Sequence, residues 1–269
     1  MRKSKRIIVR TLAFAKREFK LKTRYKWPFL STTIIMPIIH ALPFIILYWG
    51  LLIGSSGDLS EITAENYLAW VLLGSIIYST YSLGYMVFRL NFWSEKFWMT
   101  IHGTLIAPAS KYYLLFGTII QLLIQGLLSS LIFFIIAFVS FPTSFINIFF
   151  VLIIFVVALI AGAGLSLING TFLLINENLV PFFDFFLYGL TFLSCYAIPY
   201  ELYPSFLQVA VKFNPLYHII NITREVWFNN YSIEILWSFL YILAFCVISV
   251  MLGIYFFNKY TRRFGVHGY

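Results

Sequence analysis

The sequence predicts an all-α integral membrane protein that crosses the bilayer six times, and three observations carry that prediction. Hydrophobic residues make up 61% of the 269 and charged residues only 11%, against about half and about a quarter in soluble domains. A soluble fold of this size has no means of hiding so much apolar surface. The apolar residues gather into six runs, each close to the ~20 residues that a membrane-spanning helix needs. When those runs are threaded through a bilayer with the N-terminus inside, all but Lys212 and Arg224 of the 19 Lys and Arg residues fall on one side. That asymmetry is the one expected of cytoplasmic segments.

The first element is a basic segment, residues 1–27, set before a six-span unit of residues 28–269. The net charge of +9 comes largely from this segment. A basic stretch running straight into an apolar one suits anionic lipid head groups rather than nucleic acid. Ile8, Leu12, Ala15 and Phe19 recur at helical spacing with Lys and Arg on the other faces. This predicts an amphipathic helix in the membrane interface, the competing reading being a disordered basic tail. The segment is a poor signal peptide, because both its charged and apolar parts are too long.

The predicted spans run from about Pro28 to Ile53, Tyr67 to Phe88, Tyr112 to Val139, Ile148 to Leu174, Leu179 to Ile198 and Ile235 to Asn258. Both termini are then expected on the cytoplasmic side of the plasma membrane. In the first span, His40 lies between Pro37 and Pro43, which predict a kink. The imidazole is expected to be neutral and hydrogen-bonded between helices, the sharper alternative being a pathway residue. Asp184 lies near the cytoplasmic end of the fifth span. In the fourth, Gly162, Ser166 and Gly170 share four-residue spacing, a pattern that lets two helices approach closely. Cys195 and Cys246 sit far apart in apolar runs and carry no redox message.

Soluble-enzyme motifs are missing from the sequence: it has no P-loop, no glycine-rich dinucleotide fingerprint and no histidine–acid cluster at metal spacing. Neither a catalytic set nor a metal or cofactor site in this chain is expected. Scarce mid-membrane charge argues against a small ion as cargo.

Two stretches between spans are neither long nor apolar enough to cross. The stretch EKFWMTIHGTLIAPASK, from Glu95 to Lys111, reads as a short helix to His102, a turn and a helix start, all on the basic side. Its apolar side chains require cover from the interface or from a partner groove. The stretch from Pro199 to Asn230 contains two helical pieces, about Pro204–Phe213 and Pro215–Phe228, with Pro204 and Pro215 at first-turn positions and Asn214 as a cap. Both pieces are too short to span. They are expected to dip into the outer leaflet and return, buried against protein where the backbone bends. Asn221-Ile-Thr223 and Asn230-Tyr-Ser232 are glycosylation sequons on the same side.

The order of these parts resembles the membrane subunit of type-2 ABC exporters over essentially the whole chain. It comprises a basic amphipathic helix, six spans, a Glu…Gly-Thr-Leu…Pro-x-Ser loop between spans two and three, and a Pro-x-Glu-Leu-x-Pro…Asn-Pro-Leu…Arg segment before span six. The resemblance implies that Glu95, Phe97, Trp98, Gly103, Thr104, Leu105 and Pro108 belong to a coupling helix that docks on a cytoplasmic ATPase, with Glu177 at a second contact. It implies that Pro199, Glu201, Leu202, Pro204, Asn214, Pro215 and Arg224 belong to a re-entrant outer hairpin. His40, Tyr196, Tyr200, Phe213 and Tyr217 are candidate pathway residues. Two copies of the ATPase, which would bind ATP and Mg, and a second membrane subunit forming a homodimer are the implied partners, together with membrane lipids. The chain departs from the family pattern twice: Phe97-Trp98 stand where a second acid is usual, and the turn at Glu177 lacks the usual basic residue. The implied cargo is an amphipathic compound, lipid or lipid-linked glycan. A secondary transporter would show paired half-repeats or buried coupling charges, and a membrane-embedded transferase would show inward-facing polar residues on several spans.

Overall fold

A computed structural model of the chain describes residues 2–54, 62–63, 65–100 and 111–266. Its helices are α1 (Arg2–Thr23), α2 (Lys26–Leu30), α3 (Met36–Gly54), α4 (Tyr67–Phe97), α5 (Lys111–Ser140), α6 (Phe145–Ile175), α7 (Val180–Phe192), α8 (Ser205–Lys212), α9 (Pro215–Trp227) and α10 (Ile233–Val266). A π-helical turn, Ser31–Ile35, joins α2 to α3, and 3-10 turns lie at Glu177–Leu179 and Tyr200–Leu202. Among the described residues, five helical stretches are long and apolar enough to cross a membrane: Lys26–Gly50, Tyr67–Phe97, Tyr112–Ser140, Phe145–Ile175 and Ile233–Tyr260. The expected fifth span corresponds to α7, which has only 13 residues. At 1.5 Å per residue that is about 20 Å, short of the ~30 Å hydrocarbon layer.

Helix α4 is the centre of the packing, and its most apolar stretch is 72% buried. Lipid offers helices no hydrophobic incentive to associate, so close backbone approach and interhelical hydrogen bonds hold them together. Gly84 of α4 and Gly162 of α6 meet face to face. A Cβ on Gly84 would lie 2.5 Å from the Leu159 carbonyl, and one on Gly162 would lie 2.5 Å from that of Tyr81. Further along the same face, Ser166 Oγ accepts hydrogen bonds from the backbone N–H groups of Phe88 and Arg89 at 2.9 and 3.3 Å. Gly170 lies against the backbone of Arg89. The predicted small-residue stripe is therefore the α4–α6 seam. On the other side of α6, Gly164 and Gly253 admit α10.

One helix differs from the sequence reading in extent, and one expected deformation is present. Helix α4 runs to Phe97 rather than ending near Phe88, because Phe92 continues its buried face and its charged residues find partners. The first span does deform at its prolines. Pro37 has no N–H to give to the carbonyl one turn before it, and the π turn that spans Ser31–Ile35 lies immediately upstream.

Helix α1 packs along α5 through Gly117, whose missing Cβ leaves room for the Cβ of Phe14. The docked stripe is Thr11, Phe14, Ala15, Glu18 and Lys22. Of the predicted apolar face, Ala15 is buried but Ile8 and Leu12 are exposed, together with Ile7 and Val9. The helix thus turns a mixed stripe, carrying Glu18 and Lys22 beside Phe14 and Ala15, toward protein and leaves an apolar face open.

Candidate functional site

At the basic end, three elements converge on the last turns of α4. Arg17 of α1 donates to Glu18 Oε1 at 3.0 Å and to Glu95 Oε1 at 3.4 Å, and the Asn91 amide donates to Glu18 Oε2 at 3.3 Å. Lys96 forms an ion pair with Glu177 at 2.8 Å and donates to the Leu173 carbonyl at 3.3 Å. The α4 end is therefore tied to α1 on one side and to the α6–α7 turn on the other. Burial pushes the Glu18 carboxyl above its ordinary value. Arg17 and Lys22 oppose that shift, and Glu95 adds to it. Burial pushes Lys22 down, with Glu18 opposing. Lys22 donates to Gln125, which bonds Gln121 and Thr33, so a polar ladder runs between α1, α5 and the π turn.

Beyond Phe97 the chain leaves the helix. Met99 takes a left-handed backbone with φ 54°, and the Thr100 N–H bonds back to the Glu95 carbonyl. The expected short helix from Glu95 to His102 is thus the end of α4 and a turn, as far as residue 100. Gly103, Thr104, Leu105 and Pro108 lie outside the described residues. Phe97, Trp98 and Met99 are 64%, 73% and 83% exposed. Trp93 stacks on Phe97, and Trp98 meets Phe97 edge-on. Three large apolar side chains standing together at a charged helix end form a surface that wants a cover.

The opposite end is organised by Arg224. After α7 the backbone turns irregularly, with Cys195 left-handed at φ 54°, and this loses the helical partners of its carbonyls. Arg224 of α9 supplies replacements: Nη1 donates to the Cys195 carbonyl at 2.9 Å, Nη2 to that of Tyr196 at 2.8 Å, and Nε to that of Trp70 at 3.3 Å. Its guanidinium carbon lies 3.3 Å from the centroid of the Trp70 ring, and the side chain is almost wholly buried. Gly74 gives the group room, since any Cβ there would strike it.

Asn214 ties the start of α9 to α7. Its Oδ1 caps α9 by accepting from the Leu216 N–H, as the sequence predicted, and its Nδ2 donates to the Leu190 carbonyl of α7 at 2.7 Å. Pro199 and Pro215 are buried, whereas Glu201, Leu202 and Pro204 are exposed. In the sequons, Thr223 is fully buried and the half-buried Asn221 donates to Glu225, whereas Asn230 is exposed.

The candidate pathway residues divide into separate groups. Tyr78 stacks on Tyr196 at 4.5 Å and takes His40 edge-on, so these three form one aromatic cluster with Phe44. His40 makes no hydrogen bond among the described residues, contrary to the expected interhelical one. Tyr200 and Tyr217 pair elsewhere at 5.8 Å, and Phe213 stands exposed at the end of α8. Asp184 pairs with Arg89, an ion pair the sequence reading missed by assigning Arg89 to a loop. An acid inside a predicted span needs a cation, and that requirement was the available signal.

Comparison with known proteins gives a consistent result. The family model described as "ABC-2 type transporter" matches residues 10–228. "Probable multidrug ABC transporter permease YbhR" of Escherichia coli (strain K12) is 25% identical over an alignment of 215 residues, and the match covers 76% of this chain and 57% of that protein. Its counterpart in Escherichia coli O157:H7 gives the same figures. The chain thus spans little more than half the length of the curated relatives it matches.

Proposed function

From the premise that this multi-pass membrane protein belongs to the ABC-2 type transporter family, we propose that it is the membrane subunit of an ATP-driven exporter powered by a separate ATPase. The observation that carries this reading is the exposed Phe97-Trp98-Met99 cap, set on a helix end that is ion-paired to both α1 and the Glu177 turn. A subunit docked there could push on three elements at once. The ATPase, in two copies, binds ATP and Mg and moves the coupling segment, and α1 and the first two spans follow as rigid bodies.

In this reading the basic end faces the cytoplasm, α7 completes a sixth crossing, and α8 and α9 form the re-entrant outer hairpin. A second copy of the chain covers the open apolar faces of α3 and α7, which expose Ile39, Ile46, Phe182, Phe185 and Tyr188. The cargo is an amphipathic compound, lipid or lipid-linked glycan. The few charges along the spans and the aromatic hairpin end support that class.

The test uses the chain co-expressed with an ABC ATPase that co-purifies with it. Trp98→Asp changes a side chain that is 73% exposed, so insertion should be unaffected. ATPase binding should fall about tenfold or more, as for loss of an interfacial aromatic anchor, and export should fall with it. Unchanged binding would remove the docking assignment. Transport by the purified chain without any ATPase would end the exporter-subunit reading.

A further inference from the structure

Between α4 and α7 lies a cleft of about 280 Å³ lined by Arg89, Leu90, Trp93, Leu173, Val180 and Asp184. It is one side-chain length from the lipid phase, since Leu90 and Trp93 on its wall are each about half exposed. Arg89 stands seven residues before Lys96 on α4, about 10 Å up the helix from the basic end. That depth is where the phosphates of one leaflet come within reach of a long side chain.

The two charged residues of the cleft satisfy each other only in part. Arg89 Nη1 donates to Asp184 Oδ1. Among the described residues Arg89 Nε and Nη2 have no acceptor and Asp184 Oδ2 has no donor, and none of the three is sealed from the cleft. The Arg89 side chain is 15% exposed and that of Asp184 is 32% exposed. Polar hydrogens left open at the edge of hydrocarbon cost free energy until something meets them. A guanidinium presenting a fork of donors is matched by phosphate oxygens. A carboxylate oxygen beside it repels a simple anion and attracts an ammonium. The combination fits a group with both charges a few ångströms apart, on a scale below that of ordinary drug-sized pockets of ~300–1,000 Å³.

We propose that this cleft binds the head group of a phospho-amine lipid of the phosphatidylethanolamine class. The phosphate sits on Arg89 and the ammonium donates to Asp184. The acyl chains stay outside, along the exposed Leu90 and Trp93. The site needs only that the chain lie in a bilayer, and it stands whether or not the lipid is cargo. Because Arg89–Asp184 is also a tie between α7 and α4, an occupied site clamps α7 through both charges.

Lipid retention by the purified complex, reconstituted with equal fractions of phosphatidylethanolamine, phosphatidylcholine and phosphatidylglycerol, tests the proposal. Phosphatidylethanolamine should be retained about tenfold over the other two, the factor that one charge-assisted hydrogen bond supports. Choline lacks N–H donors, and glycerol lacks the positive charge. Arg89→Gln should abolish retention of all three. Asp184→Asn should remove the preference for ethanolamine over choline and admit phosphatidylglycerol. The wild-type complex keeps the test independent of variant folding, because soluble glycerophosphoethanolamine should compete and inorganic phosphate should not. Equal retention of the three lipids, unchanged retention in Arg89→Gln, or equal displacement by inorganic phosphate would each overturn the assignment.

Discussion

Arg224 explains why a chain can abandon helical geometry next to lipid without unfolding. The two carbonyls after α7 would each be short of a donor, at about 1–3 kcal/mol for a buried unsatisfied group, and the Trp70 carbonyl on α4 would lose a second one. One planar cation serves all three while resting on Trp70. Lysine cannot replace it, because an ammonium has no fork and cannot reach three divergent carbonyls from one point. Arg224→Met should therefore release the Cys195–Tyr196 segment while leaving the spans inserted. The native Cys195 thiol, now 3% exposed, reports this directly. Its reaction with a maleimide should rise at least about tenfold, as expected for the loss of even one such bond. Unchanged reactivity would mean that packing alone holds the segment. The resemblance singled out this arginine, but its partners had no sequence signal, because two of its acceptors are carbonyls 28 and 29 positions away.

At the scale of elements, the hydrophobic pattern was legible wherever one helix face meets one environment. Gly162, Ser166 and Gly170 pointed to a tight seam, and the structure supplies the opposing Gly84 and the backbone of α4. The pattern misled where a helix faces two environments. In α1, Ile8 and Leu12 mark the open face, while the docked stripe carries Glu18 and Lys22, which hydropathy assigns to solvent. The same blindness hid the full length of α4, whose Arg89 and Lys96 look like loop residues until Asp184 and Glu177 are set beside them. The buried stripe makes α1 docking dependent on pH. Folding raises the Glu18 pKa, chiefly by burial, so this carboxyl favours the docked state increasingly as pH falls through its folded value and opposes it as pH rises above. Arg17, Glu95 and Lys22 face it and set the size of the effect. Glu18→Gln removes the titration and can keep the Asn91 bond. Well above the folded value the variant should resist proteolysis at α1 better than wild type, and the advantage should close as pH falls through that value. An advantage that stays constant with pH would show that the ionised carboxylate is not the cause.

For the whole molecule, the central question is how many times the chain crosses the bilayer, and α7 decides it. An odd number of spans puts the basic N-terminal helix on the opposite side from Lys259, Arg262 and Arg263, against the charge asymmetry that orients membrane proteins. Six spans require α7 to bridge ~30 Å with 13 helical residues. In that arrangement the helix would not act alone. The Glu177–Leu179 turn extends it at one end, and the segment from Leu193 to Pro199, with its carbonyls held by Arg224 and its Tyr203 neighbour bonded to the Phe192 carbonyl, extends it at the other. Backbone that leaves the helix at membrane depth survives only when protein satisfies it, and that is the condition Arg224 and Asn214 meet. On the six-span proposal, the half-length helix is a crossing completed by its anchors. Asn178 and Glu201 flank it, and both are exposed, so a single cysteine at either site reports its side of the membrane. With Cys195 and Cys246 replaced by serine, Asn178→Cys should react with an impermeant maleimide only from the cytoplasm, and Glu201→Cys only from outside. Labelling of both from one face would make α7 a surface helix, reduce the chain to five spans, and place α1 and the C-terminal basic residues on opposite sides.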